Sequence, residues 1–282
     1  MERRRFIATS AGLLAAGSAP AGAQRNDPRV LRFVPQANLT ALDPVWTTAA
    51  VTSLHGYTVF DTLYGTDDAG RIRPQMAEGH TVSDDGLTWT IRLRDGLRWH
   101  DGEPVLARDC IASLQRWSKR DVFGQSLAAA AAEWTAPDDR TLRIRLRTPF
   151  PMLLSAIGKT ASNMPLMMPE RLARTDPFRQ VTEMIGSGPF RFLKDEYVSG
   201  SRVAYAKFDG YVPRQEAAEN TAGGKVAHFE RIVWTVMPDS ATAAAAMQAG
   251  EVDWWDQVNP DLTPLLRRAR NVTVAVNDPA GY

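Results

Sequence analysis

The 282-residue sequence contains a single cysteine, Cys110, so it can form neither an internal disulfide nor a paired-cysteine metal or redox site. Its four histidines, His55, His80, His100 and His228, are spaced too widely for the His-Glu-x-x-His helix of a zinc hydrolase. Charge of one sign is also lacking, with 33 Lys and Arg facing 32 Asp and Glu. Three of those arginines and one glutamate precede Gln24, leaving 30 basic against 31 acidic side chains in the body of the chain. A near-neutral body argues against nucleic acid as the partner, because phosphate binding needs a basic surplus on one face. No run after residue 30 approaches the roughly 20 apolar residues that span a bilayer. Phosphate-binding loops and a Gly-x-Ser-x-Gly elbow are missing too. Gly186-Ser187-Gly188-Pro189 holds a Gly-x-Gly, but its proline opens a strand rather than a helix. Ser187 therefore reads as a crossing point of the chain and not as a nucleophile. The acidic pairs Asp67-Asp68, Asp84-Asp85 and Asp138-Asp139 sit in turn contexts. No catalytic constellation, metal site or cofactor loop is expected.

What is present begins with an address. Arg3-Arg4-Arg5-Phe6-Ile7 has the pattern of a twin-arginine export motif, with Ala8 where a lysine is common, so Sec export remains open. A mildly apolar stretch over 6–16 and Ala21-Gly22-Ala23 complete an export signal over 1–23, which puts the protein in the periplasm.

Alternation of apolar and polar residues predicts strands over 30–34, 87–94 and 141–147. Leu142, Ile144 and Leu146 point one way and Arg143, Arg145 and Arg147 the other. With the total charge balanced, that arginine row reads as a solvated sheet face. Helices are expected over 51–63, 107–117, 151–157 and 165–174, and the alanines at 128–132 favour helix. Strands at 190–193 and 202–207 pair. After them come a strand over 229–237, a helix capped by Asp239 and stopped by Gly250, a strand at 252–255, a helix at 261–270 and a strand at 272–276. This last third is an α/β alternation.

In such layers ligands sit beyond the carboxyl ends of the strands. The first strand runs into Asn38, Asp43 and Trp46-Thr47, and a later one ends in Trp254-Trp255-Asp256-Gln257. Neighbouring strand residues face opposite ways, so one of Trp254 and Trp255 enters the core while the other can reach a cleft. Trp46 and Trp255 are the aromatic candidates for ligand contact. Trp89, Trp99, Trp117, Trp134 and Trp234 are expected in the core.

The order of short segments resembles the family 5 extracellular solute-binding proteins of ABC importers, the oligopeptide, dipeptide and nickel-binding class. The carrying residues include Leu42-Asp43-Pro44, Val59-Phe60-Asp61-Thr62-Leu63-Tyr64, Pro74-Gln75-Met76-Ala77-Glu78 and Ser83-Asp84-Asp85-Gly86-Leu87-Thr88-Trp89. Further on they are Asp95-Gly96-Leu97-Arg98-Trp99-His100-Asp101-Gly102, Gly186-Ser187-Gly188-Pro189-Phe190, Asp209-Gly210-Tyr211 and Gly250-Glu251-Val252-Asp253.

The resemblance implies an α/β fold: lobe I of a type II periplasmic binding protein, with a β-rich sublobe, the second lobe missing from this chain. Residues 24–66 and 186–271 would form the lobe I core, 67–185 the sublobe, and 272–282 the start of a hinge crossing. It implies ligand contacts at Asn38, Trp46, Thr47, Phe123 in the segment 120–125, Asn163, Met164, Trp255 and Asp256. Metal-chelate binders of the class carry arginine at some of these positions, and the uncharged Asn163 weakens a nickel reading. The implied function is a monomeric, non-enzymatic receptor that captures a small solute, a peptide by default, and delivers it to an ABC import permease. An exported enzyme, or a peptide-binding chaperone or sensor using the same cleft, are the competing readings.

Overall fold

The computed structural model describes residues 27–276, so the expected export signal over 1–23 lies outside the described residues, as does 277–282. β1 (Val30–Val34) leads through a long loop to α1 (Ala50–Val59), then to the short strands β2 (Asp61–Thr62), β3 (Tyr64–Thr66) and β4 (Ile72–Pro74). β5 (Ala77–Val82), β6 (Thr88–Leu93), α2 (Ala107–Trp117), α3 (Val122–Ala130), β7 (Ala131–Asp138) and β8 (Thr141–Leu146) follow. α4 (Leu153–Ile157), β9 (Leu166–Met167) and α5 (Glu170–Ala173) precede the return through β10 (Phe190–Phe192), β11 (Arg202–Lys207) and β12 (Arg231–Thr235). α6 (Ser240–Ala249), β13 (Trp254–Trp255) and α7 (Thr263–Arg268) complete the order.

Two sheets carry the molecule. The first has the order β10-β11-β12-β1-β13, with β1 parallel to both β12 and β13 and the β10-β11-β12 part antiparallel. The second is antiparallel, β5-β6-β8-β7. On β6, Trp89, Ile91 and Leu93 are buried; on β8, Leu142, Ile144 and Leu146 are buried while Arg143 and Arg145 are exposed. Each fully buried aliphatic side chain there contributes roughly 1.5–3 kcal/mol. Cys110, Ile111, Leu114 and Trp117 of α2 pack on this face, whereas Ala112 of the same helix joins the other core with Phe33, Val59 and Trp234. One helix thus serves two cores, across the boundary expected between lobe and sublobe.

Several local departures have physical reasons. The helix expected over 51–63 ends at Val59 because the Val59 carbonyl accepts the Gly188 N–H at 2.9 Å instead of a donor from its own next turn. Asp61, just beyond, becomes a buried hub. Its carboxylate accepts the Thr62 N–H (2.9 Å), Lys225 Nζ (2.8 Å), the Tyr211 hydroxyl (3.1 Å) and Gln75 Nε2 (3.2 Å). Those bonds fasten the long irregular segment between β11 and β12. The helix expected over 165–174 divides into β9, paired with β2, and the single turn α5. The alanine run changes from helix to strand at Ala131, which pairs with Leu146 and turns its methyl into the core. Residues 272–276 form no strand in the described residues, although Val272 and Val274 pack beside Val34 and Trp255.

Helix ends follow the sequence. The Asp239 side chain accepts the Thr242 N–H at 2.7 Å, and Gly250 closes α6 at φ 71°. At α2, the buried carboxylate of Asp109 accepts the Leu106 N–H (2.8 Å), Trp99 Nε1 (3.2 Å) and the Glu170 N–H (2.9 Å), joining three segments.

The Gly186-Ser187-Gly188-Pro189 segment lies directly on the end of α1. A β-carbon on Gly186 would stand 2.1 Å from the Val59 carbonyl oxygen. His100 reads the segment with both ring nitrogens. Gly186 donates to Nδ1 at 3.3 Å, so Nε2 carries the proton and donates to the Gly188 carbonyl at 3.0 Å. Ser187 is buried, and among the described residues its hydroxyl bonds to the Met76 sulfur at 3.8 Å, while His100 spends both ring nitrogens on the flanking backbone.

Gly186→Ala therefore loses at least about 3 kcal/mol, seen as a fall of roughly 10 °C in the melting midpoint or as failure to fold. Gly79→Ala, with nothing within 4 Å of the new methyl, stays within about 1 kcal/mol. Acid sensitivity follows from the histidines. Burial pushes His55 down to about 3 and His100 down to about 4, from an ordinary 6.5. The unfolded chain takes up these protons first, so stability is full above pH 6.5 and falls as pH drops to about 4 for His100 and about 3 for His55. Urea midpoints across that window should decline, and His100→Gln should flatten part of the slope, by up to about 3 kcal/mol.

Candidate functional site

Two rims present side chains where a ligand could approach. The first is the carboxyl end of the parallel strands. Asp256 donates its N–H to the Val34 carbonyl at 3.0 Å, which sets the end of β13 beside the end of β1. Burial raises the Asp256 carboxyl above its ordinary value, while a hydrogen bond from the Gln36 backbone opposes the shift. The register Phe33↔Trp254 and Val34↔Trp255 decides which tryptophan is free. Trp255 shares Val34's face, under α6 and α7, and is 9% exposed among Ala243, Val252 and Leu266. Trp254 is 53% exposed, its ring edge-on to Phe33 at 6.1 Å. This reverses the expected orientation of the pair: the outward-facing member is Trp254, because Val34 faces the helices.

The second rim is the loop between β1 and α1. Asp43, fully buried, accepts two bonds from Arg116, at 3.1 and 2.6 Å, and the N–H groups of Val45 and Val181, each at 3.0 Å. Arg116 spends its other donors on the carbonyls of Thr175 (3.2 Å) and Arg179 (2.8 Å). Asn163 pins the same loop, donating to the carbonyls of Val45 (2.9 Å) and Thr47 (3.1 Å), and its own carbonyl accepts Trp117 Nε1 at 2.7 Å. The half-buried Trp46 ring lies under the Arg120 guanidinium, 5.0 Å from its centroid, and the Trp46 carbonyl accepts Arg120 Nη2 at 2.9 Å.

Trp46, Thr47 and Asn163 thus form one hydrogen-bonded group, with Met164 buried behind it in the core beside Gly56. Asn38 is committed elsewhere, its side-chain oxygen accepting the Gly200 N–H at 2.8 Å. Phe123 packs against Phe150, centroids 6.0 Å apart, over the sublobe core. In the segment 120–125 it is Arg120, not Phe123, that meets Trp46. Its other ring neighbour is Phe178, at 5.1 Å. Phe178, 64% exposed, carried no signal in the sequence beyond being an apolar residue inside a polar stretch. Arg120 lay within the expected segment, but its role needs the fold of the 175–181 loop. Among the described residues no cluster of three or more His, Cys, Asp or Glu side chains could hold a metal ion. Nor does any helix among them have the length and apolarity to cross a membrane.

Comparison with known proteins places these features in context. Residues 71–282 match the model of bacterial extracellular solute-binding proteins, family 5 Middle. The chain is 41% identical over 246 residues to the "Probable peptide ABC transporter periplasmic-binding protein y4tO" of Sinorhizobium fredii, covering 86% of this chain and 46% of that protein. It is 27% identical over 244 residues to the glutathione-binding protein GsiB of Escherichia coli O1:K1 / APEC, covering 84% and 44%. The fold is similar to that of AgaA from A. tumefaciens R10 in complex with agropinic acid, at TM-score 0.70 and 22% identity over 86% of this chain and 46% of that one. It is likewise similar to DppA of Helicobacter pylori in complex with the peptide STSA, at TM-score 0.70 and 20% identity over 86% and 49%. The chain spans about half the length of the curated relatives it matches.

Arg116→Met leaves the Asp43 carboxylate buried without a counter-charge. Urea denaturation should show a loss of about 3–5 kcal/mol, while the double replacement Asp43→Leu with Arg116→Met recovers part of it.

Proposed function

The chain belongs to the bacterial extracellular solute-binding proteins, family 5, and from that premise we propose that it forms one lobe of a monomeric, extracytoplasmic receptor that captures a peptide and delivers it to an ABC import permease. The observation that carries this reading is the half-exposed Trp254 at the carboxyl end of parallel strands β1 and β13, the edge at which α/β layers receive ligands. A flat aromatic face there supplies contact area without demanding a particular side chain. The loop rim adds Trp46, Thr47 and Asn163, held in place by their hydrogen bonds. The peptide class is supported by the naming of the 41% identical relative, and export by the arginine-led segment over 1–23.

In this reading a second lobe hinges over the rim, buries the solute and creates the closed form that a permease recognises. No bond is made or broken.

The test uses the complete polypeptide and peptides of two to five residues, glutathione included. Calorimetry should detect binding without turnover. Trp254→Ala should weaken it about tenfold, with a melting midpoint within a few degrees of the parent. Trp255→Ala should instead lower stability by about 3–5 kcal/mol, because it empties a packed site. Hydrolysis of a bound peptide, or unchanged affinity in the Trp254 variant, would refute the reading or its placement respectively.

A further inference from the structure

Three segments distant in sequence converge on one guanidinium. Arg120 stands in the turn between α2 and α3, with its Cζ 5.0 Å from the Trp46 ring centroid and 5.1 Å from that of Phe178. Of its five N–H donors, one is bonded, Nη2 to the Trp46 carbonyl at 2.9 Å. No carboxylate among the described residues pairs with it, each nearby acid being already engaged. Asp121, next in sequence, takes Lys159 and caps α3 through the Gly124 N–H at 3.0 Å. Asp43, beneath the same loop, is fully committed to Arg116 and two backbone amides. Asp176, two residues before Phe178, accepts the Phe178 N–H at 2.8 Å.

Arg120 is nonetheless placed, not loose. The buried Asp43–Arg116 pair ties down each of the three contributors: Asp43 lies three residues before Trp46, Arg116 four before Arg120, and the Thr175 and Arg179 carbonyls that Arg116 holds bracket Phe178. A permanently charged, half-buried guanidinium with fixed neighbours and free N–H donors matches one kind of guest: a planar anion that accepts two parallel hydrogen bonds. Resting on the receptor reading, we infer that the Trp46–Arg120–Phe178 group recognises a carboxylate of the solute, so that the receptor selects carboxylate-bearing ligands from the side of this lobe. For a peptide, the carboxylate is the C-terminal group or an acidic side chain. The aromatic faces exclude water from the flat sides of the guanidinium and direct the anion to its edge.

The experiment measures binding of three probes to the complete polypeptide by calorimetry: Ala-Phe-Ala as the free acid, Ala-Phe-Ala amide, and Ala-Glu-Ala amide. The parent should bind the free acid at least about tenfold more tightly than its amide. Comparable rescue by Ala-Glu-Ala amide would assign the contact to a side-chain carboxylate, and its absence to the terminus; either supports the inference. Arg120→Gln should bring acid and amide within about threefold of each other, and Arg120→Lys should keep part of the preference, because it retains the charge without the fork. Melting midpoints and the affinity for the amide report whether the fold persists. Phe178→Ala, at an exposed position, gives a second variant that should reduce the same ratio. A parent indifferent to the carboxylate, or an acid-to-amide ratio unchanged in Arg120→Gln, overturns the inference and leaves the receptor reading standing. Binding of none of the three probes overturns the peptide reading, and this inference with it.

Discussion

Asp43 and Arg116 are withdrawn from water together, and neither could remain there alone. The carboxylate satisfies its remaining lone pairs with amides of Val45 and Val181, and the guanidinium gives its remaining donors to carbonyls of Thr175 and Arg179. A buried pair of this kind adds little to stability over an apolar replacement, but breaking one side is expensive. What it supplies is position. The β1–α1 loop and the 175–181 loop of the second rim are both held at this pair, so their placement is referred to α2 and not left to loops alone.

The same device recurs. Asp61 gathers Lys225, Tyr211 and Gln75, and Asp109 gathers Trp99 and the amides of Leu106 and Glu170. Each is a buried carboxylate accepting three or four hydrogen bonds, and each joins segments that share no strand pairing. Long irregular stretches can therefore be held without regular structure of their own. The arginine-rich outer face of the second sheet contrasts with this: Arg145 meets Glu133 and Arg92 meets Glu78 at exposed positions where such pairs count for little.

Strands over 30–34, 88–93 and 141–146 and the helix over 107–117 were legible because their periodicity coincides with a single buried face. The caps at Asp239 and Gly250 were legible because they are local chemistry. The crossing at Gly186 could be read as a break, but why two glycines are required became visible only when the Val59 carbonyl lay beneath them. What could not be read depended on partners distant in sequence. The division of residues 165–174 follows from pairing with Asp61–Thr62, and the choice between Trp254 and Trp255 follows from which face of β1 the helices cover. Of the site, Trp46, Thr47 and Asn163 came together as a group, whereas Phe123 and Asn38 turned to packing and tethering.

α2 contributes Leu114 and Trp117 to one core and Ala112 to the other, with Ser113 between them bonded to the Met168 backbone. A helix shared in this way removes the seam along which modular exchange normally proceeds. A chimaera that transplants the β-rich part from a relative must bring α2 with it and thereby import a foreign side of the first core.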